Sequence, residues 1–231
     1  SVAFRSATAL SAWTHGITNS VTDYFGLAEA NRYLAEENAR LYKEIADYKT
    51  SIADSLVVQS TENYLSAKVV YNSVYDLQNY IIIDKGSEHG VEEDMGVITP
   101  IGVVGITRGV SENYSYVLSF LNTQQQVSAK IGHSSTFGPL SWVPGRENSA
   151  VLNEIPQHLT VNPQDTVYTS GYSAFYPPDI PLGTVIDSKV VNGVHLRVDV
   201  ELLQDFRSIN YEMVVKNNNR NEIEKLVQEA K

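Results

Sequence analysis

Between Tyr24 and Ser55 the apolar positions of this chain recur every seven residues, and past residue 56 they change to short alternating runs. With Tyr24 at heptad position a, the a sites are Tyr24, Asn31, Asn38, Ile45 and Ile52, and the d sites are Leu27, Leu34, Leu41, Tyr48 and Ser55. Leucines at seven-residue spacing followed by isoleucines form a seam that needs a partner along its length. An asparagine buried at position a is costly unless a matching amide meets it, and a symmetry-related copy supplies one. Asn31 and Asn38 therefore favour two parallel strands in register. Glu36, Glu37, Arg40, Lys43 and Glu44 take outward or flanking positions. The expectation is a dimeric coiled coil over residues 1–56, with Leu27, Asn31, Leu34, Asn38, Leu41, Ile45 and Ile52 in its seam. An amphipathic helix docked on its own domain would use the same stripe.

The change at residue 56 is also one of breakers. Before it stand only Gly16 and Gly26 and no proline; after it come all eight prolines and the other glycines. Twelve strands are predicted, at 67–71, 80–84, 96–99, 102–107, 116–120, 126–131, 138–143, 150–155, 166–169, 183–187, 196–202 and 211–215. Turn signals separate them, Asn192-Gly193 being the strongest hairpin signal. So many short strands in a segment of this length predict a mainly β fold of two small barrels, 57–120 and 121–218. The strands within 195–218 could instead return to the first barrel. Residues 219–231 read as a polar tail.

Charge and composition narrow the function. Seventeen basic against 27 acidic residues give a net charge of −10, which repels nucleic acid and anionic membrane surfaces. With no cysteine, disulfides and thiolate chemistry are excluded. No run reaches the roughly 20 apolar residues of a membrane span. The chain begins at Ser1 without a methionine, so this says little about an anchor further upstream.

An enzyme needs a nucleophile, a base or a metal cluster at workable spacing. His15, His89, His133, His158 and His195 are scattered singly, no phosphate-binding glycine loop is present, and no cofactor or metal is implied. The nearest approach to a protease nucleophile is Thr169-Ser170-Gly171, and Ser170 lacks the glycine usually found before it. Function then falls to surfaces. Tyr172, Phe175, Tyr176, Pro177, Pro178 and Pro181 crowd into ten residues, a rigid aromatic loop suited to partner contact or to capping a barrel. Tyr172, Phe175, Tyr176 and Pro178 are the contact candidates.

Three segments resemble one family. They are Tyr80-Ile81-Ile82-Ile83-Asp84-Lys85-Gly86-Ser87 with Gly90-Val91, Met95, Val97-Ile98-Thr99-Pro100 and Gly102-Val103-Val104-Gly105; then Asp165-Thr166-Val167-Tyr168-Thr169-Ser170-Gly171 with Phe175-Tyr176-Pro177, Ile180-Pro181 and Gly183-Thr184-Val185; and Glu37-Asn38-Ala39-Arg40-Leu41 in the leader. Taken in their order along the chain they are similar to the MreC family of bacterial rod shape-determining proteins. Asp94 and Gln164 depart from the pattern, since the family usually has glycine at both turns.

The resemblance implies a single membrane span ahead of the coiled coil, anchoring in the bacterial inner (cytoplasmic) membrane with this part in the periplasm. It implies a homodimer able to form filaments, and two barrels of chymotrypsin-like topology without a triad. The implied role is a non-enzymatic scaffold of peptidoglycan synthesis, with MreD, MreB and a class B penicillin-binding transpeptidase as partners. A serine-protease-like enzyme and a periplasmic adaptor of an export complex are the rival readings.

Overall fold

A computed structural model of the chain describes residues 27–45, 47, 62–173, 175–217 and 229. Residues 27–45 form a helix, α1. Its sequence is rich in alanine, leucine, glutamate and arginine, all strong helix formers. Arg32–Glu36 (3.0 Å) and Arg40–Glu44 (2.5 Å) link successive turns on its exposed face. Between side chains as exposed as these, solvent screening leaves such pairs a small contribution. Ile52 lies outside the described residues, as does all of the tail 219–231 except Glu229.

Twelve strands follow: β1 (Glu62–Asn72), β2 (Gln78–Ile83), β3 (Gly96–Thr99), β4 (Gly102–Val110), β5 (Ser115–Asn122), β6 (Val127–Ile131), β7 (Phe137–Trp142), β8 (Ser149–Pro156), β9 (Thr166–Thr169), β10 (Pro181–Val191), β11 (His195–Leu202) and β12 (Tyr211–Asn217). All the strands predicted from the pattern are present. They close into two barrels, in the orders β1-β12-β3-β4-β5-β2 and β10-β11-β8-β7-β6-β9. Alternation sets the inward faces. Every second residue of β2, β7 and β11 is buried. Ile81, Ile83, Val97 and Val117 fill the first barrel, and Leu140, Leu152, Ile155 and Val198 the second. Each such side chain contributes roughly 1.5–3 kcal/mol on burial.

The two barrels share one neighbour order. Strands β12, β1, β2, β3, β4 and β5 of the first occupy the places that β6 to β11 occupy, in sequence, in the second. Hence the first barrel is a circular permutation of the second. Its opening strand comes from the far end of the chain, with β12 paired to β1 through Ala67↔Glu212 and to β3 through Val214↔Val97. Of the late strands left open by the sequence, Tyr211–Asn217 belongs to the first barrel and His195–Leu202 to the second.

The correspondence reaches individual hydrogen bonds. In the first barrel Asp94 N–H donates to the Thr107 carbonyl (2.6 Å), and Thr107 N–H donates to that of Met95 (2.9 Å). In the second, Gln164 N–H donates to Val185 and Val185 N–H to Asp165, both at 2.9 Å. Asp94 and Gln164 have φ of 63° and 71°, so each keeps the left-handed turn that glycine would adopt freely.

Candidate functional site

The end of α1 is tied down through one face. Ala39 is buried in the core cluster, and the Tyr42 ring lies 5.8 Å from that of Tyr64 on β1. The Tyr42 hydroxyl donates to the Pro100 carbonyl across 3.3 Å, and burial raises its pKa. Ala39 and Tyr42 share one side of the helix, and the heptad stripe lies about a quarter turn away from it. That stripe is exposed. Leu34 is 56% and Leu41 41% accessible, and Leu27, Asn31, Asn38 and Ile45 are exposed as well. The two expectations for the stripe thus separate: the docked face is the alanine–tyrosine side, and the seam residues are the solvent-facing ones.

The aromatic loop between β9 and β10 also divides. Tyr172 is 69% exposed and stacks on Phe137 of β7 at a centroid distance of 4.5 Å; Pro178 is exposed beside it. Tyr176 is 5% exposed and its hydroxyl donates to the Gly105 carbonyl of β4 (2.9 Å), from the second barrel into the first. A Cβ on Gly96 would stand 2.1 Å from the Phe175 carbonyl oxygen and 2.9 Å from the Tyr176 ring. The backbone of β3 has to be bare there for the loop to approach. Tyr176 is therefore removed from the partner-contact set, because its ring is spent joining the barrels. Half-buried Phe175 packs against the same core. The remaining exposed pair is Tyr172 with Phe137, and nothing local to Phe137 singles it out, because its partner is 35 residues away.

Ser170 is held by neighbours other than an imidazole. Its Oγ lies 2.7 Å from Ser128 Oγ and accepts the Tyr172 backbone N–H at 3.1 Å. This hydroxyl fastens the start of the aromatic loop to β6.

Two further features escaped the sequence. On the outer surface of the first barrel, Tyr71, Tyr80 and Tyr116 form a ladder across β1, β2 and β5, with successive centroids 5.3 Å apart. Strand neighbours decide such a ladder, and they are remote in sequence. Inside the same barrel Glu212 is buried, and neither carboxylate oxygen has a hydrogen-bond partner among the described residues. Desolvation pushes its pKa up to about 8.

A family model described as rod shape-determining protein MreC, barrel core, matches residues 69–216. The cell shape-determining protein MreC of Listeria monocytogenes is 30% identical over 182 residues, which is 74% of this chain and 62% of that protein. The chain thus spans less than two thirds of that relative. A solved MreC structure from Listeria monocytogenes has a TM-score of 0.66 at 26% identity, covering 79% of this chain and 92% of its own. A chain from the complex between the penicillin-binding protein PBP2 and MreC from Helicobacter pylori shares the fold, with a TM-score of 0.56 at 15% identity over 68% of this chain and 99% of that one.

Proposed function

The chain belongs to the MreC family of rod shape-determining proteins, and on that premise we propose that it is a non-enzymatic scaffold of the cell-elongation machinery. In this reading the heptad segment that contains α1 pairs with a second copy through Leu27, Asn31, Leu34, Asn38, Leu41, Ile45 and Ile52. Its Ser1 end faces the inner membrane, which a single upstream span crosses, and the barrels are held out in the periplasm. The carrying observation is that Leu27, Leu34, Leu41 and Ile45 are exposed along one stripe of α1 while Ala39 on the adjacent face is buried.

The barrels then present a class B penicillin-binding transpeptidase with the Tyr172–Phe137 pair, flanked by Pro178. Exposed stacked aromatics of this kind commonly carry a disproportionate share of contact energy. The Helicobacter pylori complex supports a penicillin-binding protein as the class of partner. MreD and MreB would be engaged at or across the membrane, and longer filaments would grow from the paired chains.

The test is binding of a purified transpeptidase ectodomain to the immobilised chain. Tyr172→Ala and Phe137→Ala are each expected to weaken binding about tenfold or more, as truncating an interface hot spot does. Binding that is unchanged by both, or recovery from source membranes of export components alone, would overturn the assignment.

A further inference from the structure

Past Val185 the strand β10 loses its neighbour on one side. It pairs with β9 only through Pro181, Gly183 and Thr184, and the Val185 backbone exchanges bonds with Gln164 and Asp165. On the other side the ladder with β11 runs on to Val191↔His195. Among the described residues, 187–191 therefore have a strand along one edge and none along the other. The register shifts between Val185 and Asp187, which places a bulge at Ile186 where the free edge begins. Ile186 and Val190 are 51% and 50% exposed. An open edge with apolar side chains is a template for another strand.

The charges on this edge are set against their own kind. Across the ladder Asp187 stands opposite Asp199, and Lys189 opposite Arg197. Like charges directly opposite destabilise a sheet. The hairpin offsets this only along each strand, with Lys189–Asp187 at 3.2 Å and Arg197–Asp199 at 3.6 Å. The cross-strand complement that Asp187 and Lys189 call for is missing on the paired side.

We propose that the free edge of β10 pairs antiparallel with the same edge of a second copy, about a two-fold axis at Ser188. In that register Asp187 faces the partner copy's lysine at 189, and Lys189 faces its aspartate at 187. Ile186 and Val190 fall opposite each other in the same way. Shifting the axis one residue to Lys189 would set two lysines face to face, so charge selects the Ser188 register. The contact is independent of the α1 seam. Five or six residues bury far less than the roughly 1,200 Å² of a stable interface, so this pairing forms where chains are already concentrated. With a paired α1, two different two-fold contacts would alternate into an open array, a consequence that does rest on the helix dimer.

The chain has no cysteine, which makes the axis directly testable. Paired residues on facing strands have Cα atoms about 4.5–5.5 Å apart, within disulfide reach. Ser188→Cys is expected to form a disulfide-linked dimer under mild oxidation, much faster than Thr123→Cys on the exposed surface of the first barrel. Adding Asp187→Lys or Lys189→Asp should each slow the linkage about tenfold, because two cross-strand pairs turn repulsive. An equimolar mixture of those two variants should recover to about half of the native rate, since each chain then supplies the charge that the other lacks and about half of the encounters are between unlike chains. The ion pair within each chain stays broken in the mixture, and misfolded chains could not recover. Linkage at Ser188→Cys no faster than at Thr123→Cys, single variants without effect, or a mixture as slow as its components would each overturn the proposal.

Discussion

The hydroxyl of Tyr176, on the loop leading into β10, donates to the backbone carbonyl of Gly105 on β4 across 2.9 Å, and so joins the second barrel to the first. Complete burial pushes the phenol far above its ordinary pKa, so it remains a donor throughout the physiological range. Tyr176→Phe should cost about 1–2 kcal/mol, the usual effect of leaving a buried acceptor short of its donor. Tyr176→Ala also opens a cavity beneath the loop and should cost about 3–5 kcal/mol. Urea unfolding followed by far-ultraviolet circular dichroism, which reports the strands of both barrels, measures both. Two transitions in place of one for the alanine variant would mark this ring as the tie between the barrels.

Glu212 gives the first barrel a pH dependence of definite sign. In the folded barrel its carboxyl holds a proton up to about pH 8, whereas once unfolded it ionises near the ordinary value of 4.5. Unfolding therefore releases a proton between those limits. The stability linked to this proton is fully present below about pH 4.5 and is lost progressively as pH rises toward 8, on the order of 5 kcal/mol at most. Glu212→Gln removes the titration while keeping the shape. Unfolding free energies from pH 5 to 8 should fall for the native chain and run flatter for the variant, and parallel slopes would refute the assignment to Glu212.

The left-handed turn at Gln164 predicts a gain. Its φ of 71° is unfavourable for a branched or long side chain and free for glycine. Gln164→Gly should raise stability by about 0.5–1 kcal/mol, after allowing for the greater freedom of glycine in the unfolded chain. Asp94→Gly should gain less, because Asp94 also pairs with Arg108. Thermal unfolding of the two single variants provides the comparison.

The sequence made the strands legible because inward and outward residues alternate and glycine, proline and asparagine mark the turns. Membership of the barrels was not legible, because it is decided by pairs such as Ala67↔Glu212 that lie far apart in the chain. Alternation puts Glu212 on the opposite face from Tyr211 and Met213 and does not say which of the two faces is covered. On β12 both faces are covered, and Glu212 and Met213 are each buried. The aromatic loop was visible as a cluster, yet composition could not tell Tyr172, which faces solvent, from Tyr176, which faces β3 and β4. Gly96, bare where the loop crosses, was the one local sign, and it reads as an ordinary strand glycine until the loop is placed over it.

The helix seam was legible by period, and exposure of Leu34 and Leu41 beside a docked Ala39 adds the reason to expect a partner there. The most direct measurement is sedimentation equilibrium at low micromolar concentration, where pairing of the short β10 edge is not populated. The native chain should sediment with the mass of two chains and Leu34→Glu with Leu41→Glu with the mass of one, each variant keeping its β-sheet circular dichroism. Equal masses for the native chain and the double variant would contradict the paired scaffold.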